Sequence, residues 1–113
     1  MEKRTDRRIK KKLVVSFGDE GFENIAITNN ISDQGLCILS NISLPEKGEI
    51  RLNLAIEDKI YEIKGQIIWT KIPFNKSEEK SMKGAGIKIT KAPRGYFNYV
   101  DFFYWQNHFK DMP

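Results

Sequence analysis

Ile50-Arg51-Leu52-Asn53-Leu54-Ala55-Ile56 is the cleanest alternation in the chain. Four branched apolar side chains at every second position, separated by Arg51, Asn53 and Ala55, match a strand with one face in a core. Glu57-Asp58-Lys59 follows as a tight connection. Residues 60–70 then read as a long strand with Tyr61, Ile63, Gly65, Ile67 and Trp69 on one face. Gly65 in its middle fits a bend at a barrel corner, where a side chain would crowd. Working backwards, the turn Pro45-Glu46-Lys47-Gly48 ends a strand over 36–42. Residues 12–17, with Leu13, Val15 and Phe17 on one side, and 22–28, with Ile25 and Ile27 in phase, flank Gly18-Asp19-Glu20-Gly21 as a hairpin. Asn29-Asn30-Ile31-Ser32-Asp33-Gln34-Gly35 breaks the pattern with residues that bond their own backbone. Forwards, 75–83 is polar and is expected to be the most mobile loop, and 84–89 is a short last strand. Six short strands at intervals of about 8–12 residues predict a mainly-β fold, a six-stranded antiparallel β-barrel.

The C-terminal end has a different character. Residues 92–112 lack glycine beyond Gly95 and open on Pro93, which predicts a helix at about 93–110. Val100, Phe103 and Asn107 form one stripe; Phe102, Trp105 and Phe109 form another. Eight of the 13 aromatic residues lie between Tyr96 and Phe109, more than a helix lying on one barrel face requires. One stripe is expected to plug the barrel mouth. The other is expected either to meet a second copy of the chain or a partner, or to be wedged into the same opening.

At 113 residues the chain can bury one core but not two. Its apolar runs are shorter than the roughly 20 residues that span a bilayer, and it shows no leader pattern, so a cytoplasmic protein is expected. A lone Cys37 excludes an internal disulfide and a structural zinc site, and reads as a small buried apolar residue. His108, the single histidine, has no serine, cysteine or acid placed to build a catalytic set around it. Glu78 and Glu79 read as solvated loop residues, and no phosphate-cradling Gly-Lys-Ser/Thr loop exists. A reaction is therefore not expected. The charge points elsewhere. Residues 1–12 carry seven basic and two acidic side chains, a net +5 against +4 for the whole chain, so the remainder is about −1. A cationic arm on a near-neutral body suits an anionic partner.

Two short patterns lie about 22 residues apart: Arg4-x-x-x-Arg8 ahead of the first strand and Asn30-x-Ser32-x-x-Gly35 ahead of the third. Arginine offers paired donors to a phosphate and a flat face to a purine. A polar loop closed by glycine can present backbone N–H groups and short side chains to a base edge or phosphate, and Gly35 would supply a positive φ there. Taken singly, the first is also what any solvated basic tail contains, and the second is also a self-bonded turn.

Together, in this order, they resemble the PilZ domain, the bacterial receptor for cyclic di-GMP. Arg4-x-x-x-Arg8-Ile9 is similar to its arginine motif, and Asn30-Ile31-Ser32-Asp33-Gln34-Gly35-Leu36 to its Asp/Asn-x-Ser-x-x-Gly motif. Gly65-Gln66-Ile67-Ile68-Trp69 resembles its glycine-to-tryptophan strand, and Gly86-Ile87-Lys88-Ile89 its closing strand, with Ile89 where an aromatic is common. The resemblance implies a six-stranded barrel with a C-terminal helix, a basic ligand-binding arm at 1–12 and a domain at 13–113. It implies that Arg4 and Arg8 hold phosphate and guanine while Asn30, Ser32 and Gly35 meet the other side of the ligand. Arg7, in a parallel set with Lys3 one residue out of step, and Asp33, inside the loop motif, complete the candidate site. Cyclic di-GMP is a dianion with two purines, and its binding is expected to clamp the arm and alter a surface seen by a protein partner. The alternative is a PilZ-like adaptor in pilus or flagellar motility that binds no nucleotide. No nucleic-acid polymer is expected as partner, because the aromatics concentrate on the helix rather than on exposed strand faces.

Overall fold

The structure, a computed structural model, describes residues 8–18, 21, 23–42, 44–45, 47–71 and 82–110, the side chains of 107–110 excepted. Six antiparallel strands, β1 (Val14–Phe17), β2 (Asn24–Ile31), β3 (Gly35–Ser40), β4 (Gly48–Ile56), β5 (Lys59–Lys71) and β6 (Lys83–Lys91), close a barrel in the order β1-β2-β3-β6-β5-β4. One helix, α1 (Arg94–Lys110), follows. The alternation at 50–56 does what its spacing predicts: Leu52, Leu54 and Ile56 are buried, with Val15, Phe17, Ile38 and Ile63 beside them. Closure leaves no free sheet edge, and it sorts every strand residue into inside or outside. The tight connection expected at Glu57-Asp58-Lys59 is a turn of two residues, Glu57-Asp58, with Glu57 at φ 57° and Lys59 already opening β5.

Three strand assignments differ from the sequence reading. In β2 the inward residues are Ala26 and Thr28, while Ile25 is 66% exposed. The hairpin register sets Ala26 opposite Val15. The buried Thr28 hydroxyl is satisfied, accepting from Leu13 N (2.8 Å) and donating to Lys11 O (2.5 Å). β2 also continues through Asn29-Asn30-Ile31 rather than breaking, because Asn30 and Ile31 pair with Cys37 and Leu36 across a bulge at Asn29. In β5 a second irregularity between Ile67 and Trp69 reverses the inside–outside count. Trp69 therefore lies on the outer face, 40% exposed. Of the loop expected at 75–83, residues 75–81 lie outside the described residues, and Lys83 opens β6.

Two glycines set how closely strands approach. Gly65 occupies the crowded bend, where a Cβ would fall 2.6 Å from Ile87 Cγ2 and Lys88 O. Gly35 is not in the left-handed region; its reason is contact. A Cβ there would stand 2.4 Å from the Ile87 carbonyl oxygen of β6.

α1 meets the core through Tyr96 and Val100, both fully buried, with Phe103 partly buried behind them. The described members of its other stripe stay outside: Phe102 is 60% and Trp105 42% exposed. The Tyr96 hydroxyl donates to the Ser32 carbonyl at 2.6 Å, tying the helix to the β2–β3 turn. Burial, with the Asp33 charge adding, raises the Tyr96 pKa well above its usual value. A raised folded-state pKa means that this stabilisation is complete below the unfolded value of about 10 and is lost as pH rises beyond it.

Two outcomes follow from these contacts. Gly35→Ala is expected to destabilise by about 1–3 kcal/mol in urea denaturation, since β3 must move off β6; an unchanged midpoint would mean that the strands are not in contact there. Tyr96→Phe leaves the Ser32 carbonyl without its donor and should cost about 1–3 kcal/mol at neutral pH. The gap between wild type and this variant should narrow above pH 10, and a gap independent of pH would contradict the buried phenol.

Candidate functional site

Among the described residues the arm enters the site through Ile9, its first buried one. Ile9, 6% exposed, forms an antiparallel bridge with Ile31, donating to its oxygen at 2.8 Å and accepting from its nitrogen at 3.0 Å. Thr28 N donates to Leu13 O at 2.9 Å farther along, so the segment runs beside β2. Lys11 Nζ sits 4.3 Å from the centre of the Phe103 ring, a cation–π contact with α1. Because neighbouring residues of an extended chain face opposite ways, burying Ile9 turns Arg8 outward. There the Arg8 guanidinium donates to Asn30 Oδ1. It also acts on Cys37, whose thiol is pushed up by burial and drawn partly back by the arginine.

The loop after β2 is held by its own serine. Ser32 Oγ donates to Gly35 O and accepts from the backbone nitrogens of Gln34 and Gly35, each at 3.1 Å, and Ser32 N donates to Gly35 O at 2.8 Å. With Ser32 fully buried, the hydroxyl fixes the turn and does not reach solvent. Asp33 Oδ1 is buried and has no hydrogen-bond partner among the described residues. A buried acceptor in that state costs on the order of 1–3 kcal/mol until a donor meets it.

Beside the loop lies a groove of about 370 Å³ on the outer face of β3, β5 and β6. Its floor is bare backbone and small side chains: Gly35, Cys37 and Gly86. Arg8, Gln34 and Lys88 contribute polar groups, and Trp69 forms one side. A Cβ on Gly86 would fall 2.1 Å from Trp69 Nε1, so the indole lies directly on that glycine. Cations, an aromatic face and an amide converge here, with Asp33 in the adjoining turn. That set suits an anion carrying a planar ring. Among the described residues no group of three or more histidine, cysteine, aspartate or glutamate side chains could hold a metal ion.

The fold thus brings Arg8, Asn30, Ser32, Asp33 and Gly35 together, with Ser32 and Gly35 as shaping residues. Arg4 and Arg7 lie outside the described residues, as does the side chain of His108. Cys37 is buried as expected, though on the groove side and not in the main core. Trp69, Gly86 and Lys88 escaped the sequence reading as site residues, because the irregularity near Ile68 is invisible to alternation. An aromatic set opposite a glycine on a neighbouring strand was the available clue.

No curated protein matches the chain. Among solved structures, the Bacillus subtilis inhibitor of motility (MotI/DgrA) aligns with a TM-score of 0.70 at 16% identity. The alignment covers 100% of this chain and 55% of that one, a likeness of fold. The family model described as PilZ domain matches residues 2–95, a span that includes the arm motif, the Asn30–Gly35 loop and all six strands. On that match, over most of its length, the chain belongs to the PilZ domain family.

Proposed function

We propose that the chain is a non-enzymatic receptor for cyclic di-GMP, bound in the groove between Arg8, the Ser32–Gly35 turn and Trp69. The observation that carries this reading is the meeting of Arg8 and Asn30, 22 residues apart in sequence, at the rim of that groove. Arg8 would contact phosphate or stack on guanine, and Arg4, by its motif, would join it from the arm. Asn30 would supply an amide to the ligand. Asp33, by its place in the loop motif, would accept from the N–H edge of a guanine. Trp69 offers a stacking face worth about 1–3 kcal/mol per base.

The output would be a binding event. The bound dianion would hold residues 1–8 across the groove. Two contacts would carry its presence to α1: Tyr96 with the Ser32 carbonyl, and Lys11 with Phe103. A protein partner would then read the altered surface, in a process that the fold neighbour's description suggests is motility. The exposed Phe102 and Trp105 support the second reading, an adaptor that binds protein through α1 without nucleotide.

Titration calorimetry with cyclic di-GMP at physiological salt separates the two. Micromolar or tighter binding is expected, weakened about 30- to 1000-fold in Arg8→Ala, or roughly 2–4 kcal/mol for its charged contacts. No heat with the wild-type chain would leave the adaptor. Equal affinity in wild type and variant would put the ligand elsewhere.

A further inference from the structure

On the outer face of β4, β5 and β6, apart from the ligand groove, three cations stand in one row. Arg51 of β4 is opposite Lys64 of β5, and Lys64 is opposite Lys91 of β6. All three are exposed. Like charges directly opposite across strands destabilise a sheet, so this row carries a repulsive cost. One carboxylate is close by: Glu62 Oε2 accepts from Arg51 Nε at 3.1 Å and Nη2 at 2.7 Å. Hydrogen bonding to Arg51 holds the Glu62 carboxyl below its usual range, and the charges of Lys64 and Lys91 act in the same direction. Neither lysine forms an ion pair among the described residues.

The row, with Glu62 in it, borders a concavity of about 680 Å³ whose other walls are Ile60, Tyr61, Ala92 and Pro93. Ile60 is 63% exposed. Tyr61 is fixed against α1, since a Cβ on Gly95 would fall 2.6 Å from its ring. The groove therefore has a rigid apolar wall at the start of the helix and a cationic rim along the sheet.

We propose that this groove docks the acidic face of an amphipathic helix from a partner protein. Opposite residues on adjacent strands are separated by about 4.5–5.5 Å. Side chains at i and i+4 on a helix are separated by about 5–6 Å. Carboxylates on successive turns would thus meet Lys64 and Lys91, with Arg51, already paired with Glu62, at the end of the row, and apolar residues on the flank of the same helix would cover Ile60 and Tyr61. An extended anionic surface such as a membrane could satisfy the cations but not enter the concavity between Tyr61 and Pro93. This site does not depend on the nucleotide reading.

The probe is a fluorescein-labelled helical peptide with glutamates at i, i+4 and i+7 and leucines on the adjoining flank, followed by anisotropy against the full chain. Saturable binding is expected, weakened at least tenfold in Lys64→Glu/Lys91→Glu. Lys47→Glu/Lys71→Glu makes the same change in net charge at the far end of the barrel and should bind within about twofold of wild type, as should Arg8→Ala. The melting midpoint of Lys64→Glu/Lys91→Glu should stay close to that of wild type, because one like-charge pair across β5 and β6 is exchanged for another while Arg51 gains an opposite charge at position 64, and this separates lost binding from lost fold. Equal weakening by the two double variants would mean general charge attraction, and undiminished binding by Lys64→Glu/Lys91→Glu would place the peptide elsewhere. Either result overturns the proposal. So would retention on phosphatidylglycerol vesicles through these lysines with no affinity for the peptide.

Discussion

The pairing of Ile9 with Ile31 is the contact on which the candidate site depends. A segment with so many like charges has little reason of its own to adopt one path. Burying one isoleucine and exchanging two backbone hydrogen bonds gives its described end, residues 8–13, a path along β2. The alternation of an extended chain does the rest, sending Arg8 outward at the place where Asn30 emerges. The hydrophobic effect on one residue thus positions the charge on its neighbour. A shift of one residue would bury arginine and expose isoleucine, which desolvation forbids.

Barrel closure imposes a second division of labour. Inward positions are spent on the core, so recognition must be built from outward positions, and there the groove is made largely by what is missing. Gly35 and Gly86 leave the groove floor without side chains, and the Trp69 indole lies on the second of them. The Ser32 turn connects this surface to the interior. Its side chain holds the loop, and its carbonyl accepts from the buried Tyr96 hydroxyl of α1. Loop and helix are joined by one hydrogen bond in a low-dielectric setting, where such bonds are strong and costly to leave unmade.

Much of this was legible in the sequence, and the failures share a cause. Period-two patterns gave six strands, and Pro93 with the aromatic run gave the helix, because burial of branched apolar residues leaves a trace in composition. The path of the arm left no such trace, since Ile9 alone among polar neighbours is too short a pattern. Ile25 misleads because size alone points the larger apolar residue to the core, whereas the hairpin register buries Ala26 and a satisfied Thr28. Trp69 misleads because a local irregularity reverses parity without changing composition. Local spacing marks Gly35 as a turn glycine, whereas its real constraint, the Ile87 carbonyl 52 residues away, is tertiary. The motif residues Arg8, Asn30, Ser32, Asp33 and Gly35 did come together, as their spacing around strands requires.

The most direct test of the account is a nitrogen–proton correlation spectrum recorded as cyclic di-GMP is added to the isotopically labelled chain. The account predicts that the Trp69 indole N–H, the Asn30 side-chain amide and the Gly35 and Gly86 backbone amides shift together and saturate together. The Val15 and Leu54 amides, in the barrel wall away from the groove, should stay in place. Shifts confined to other faces of the barrel, or a spectrum that the nucleotide leaves unchanged, would contradict it.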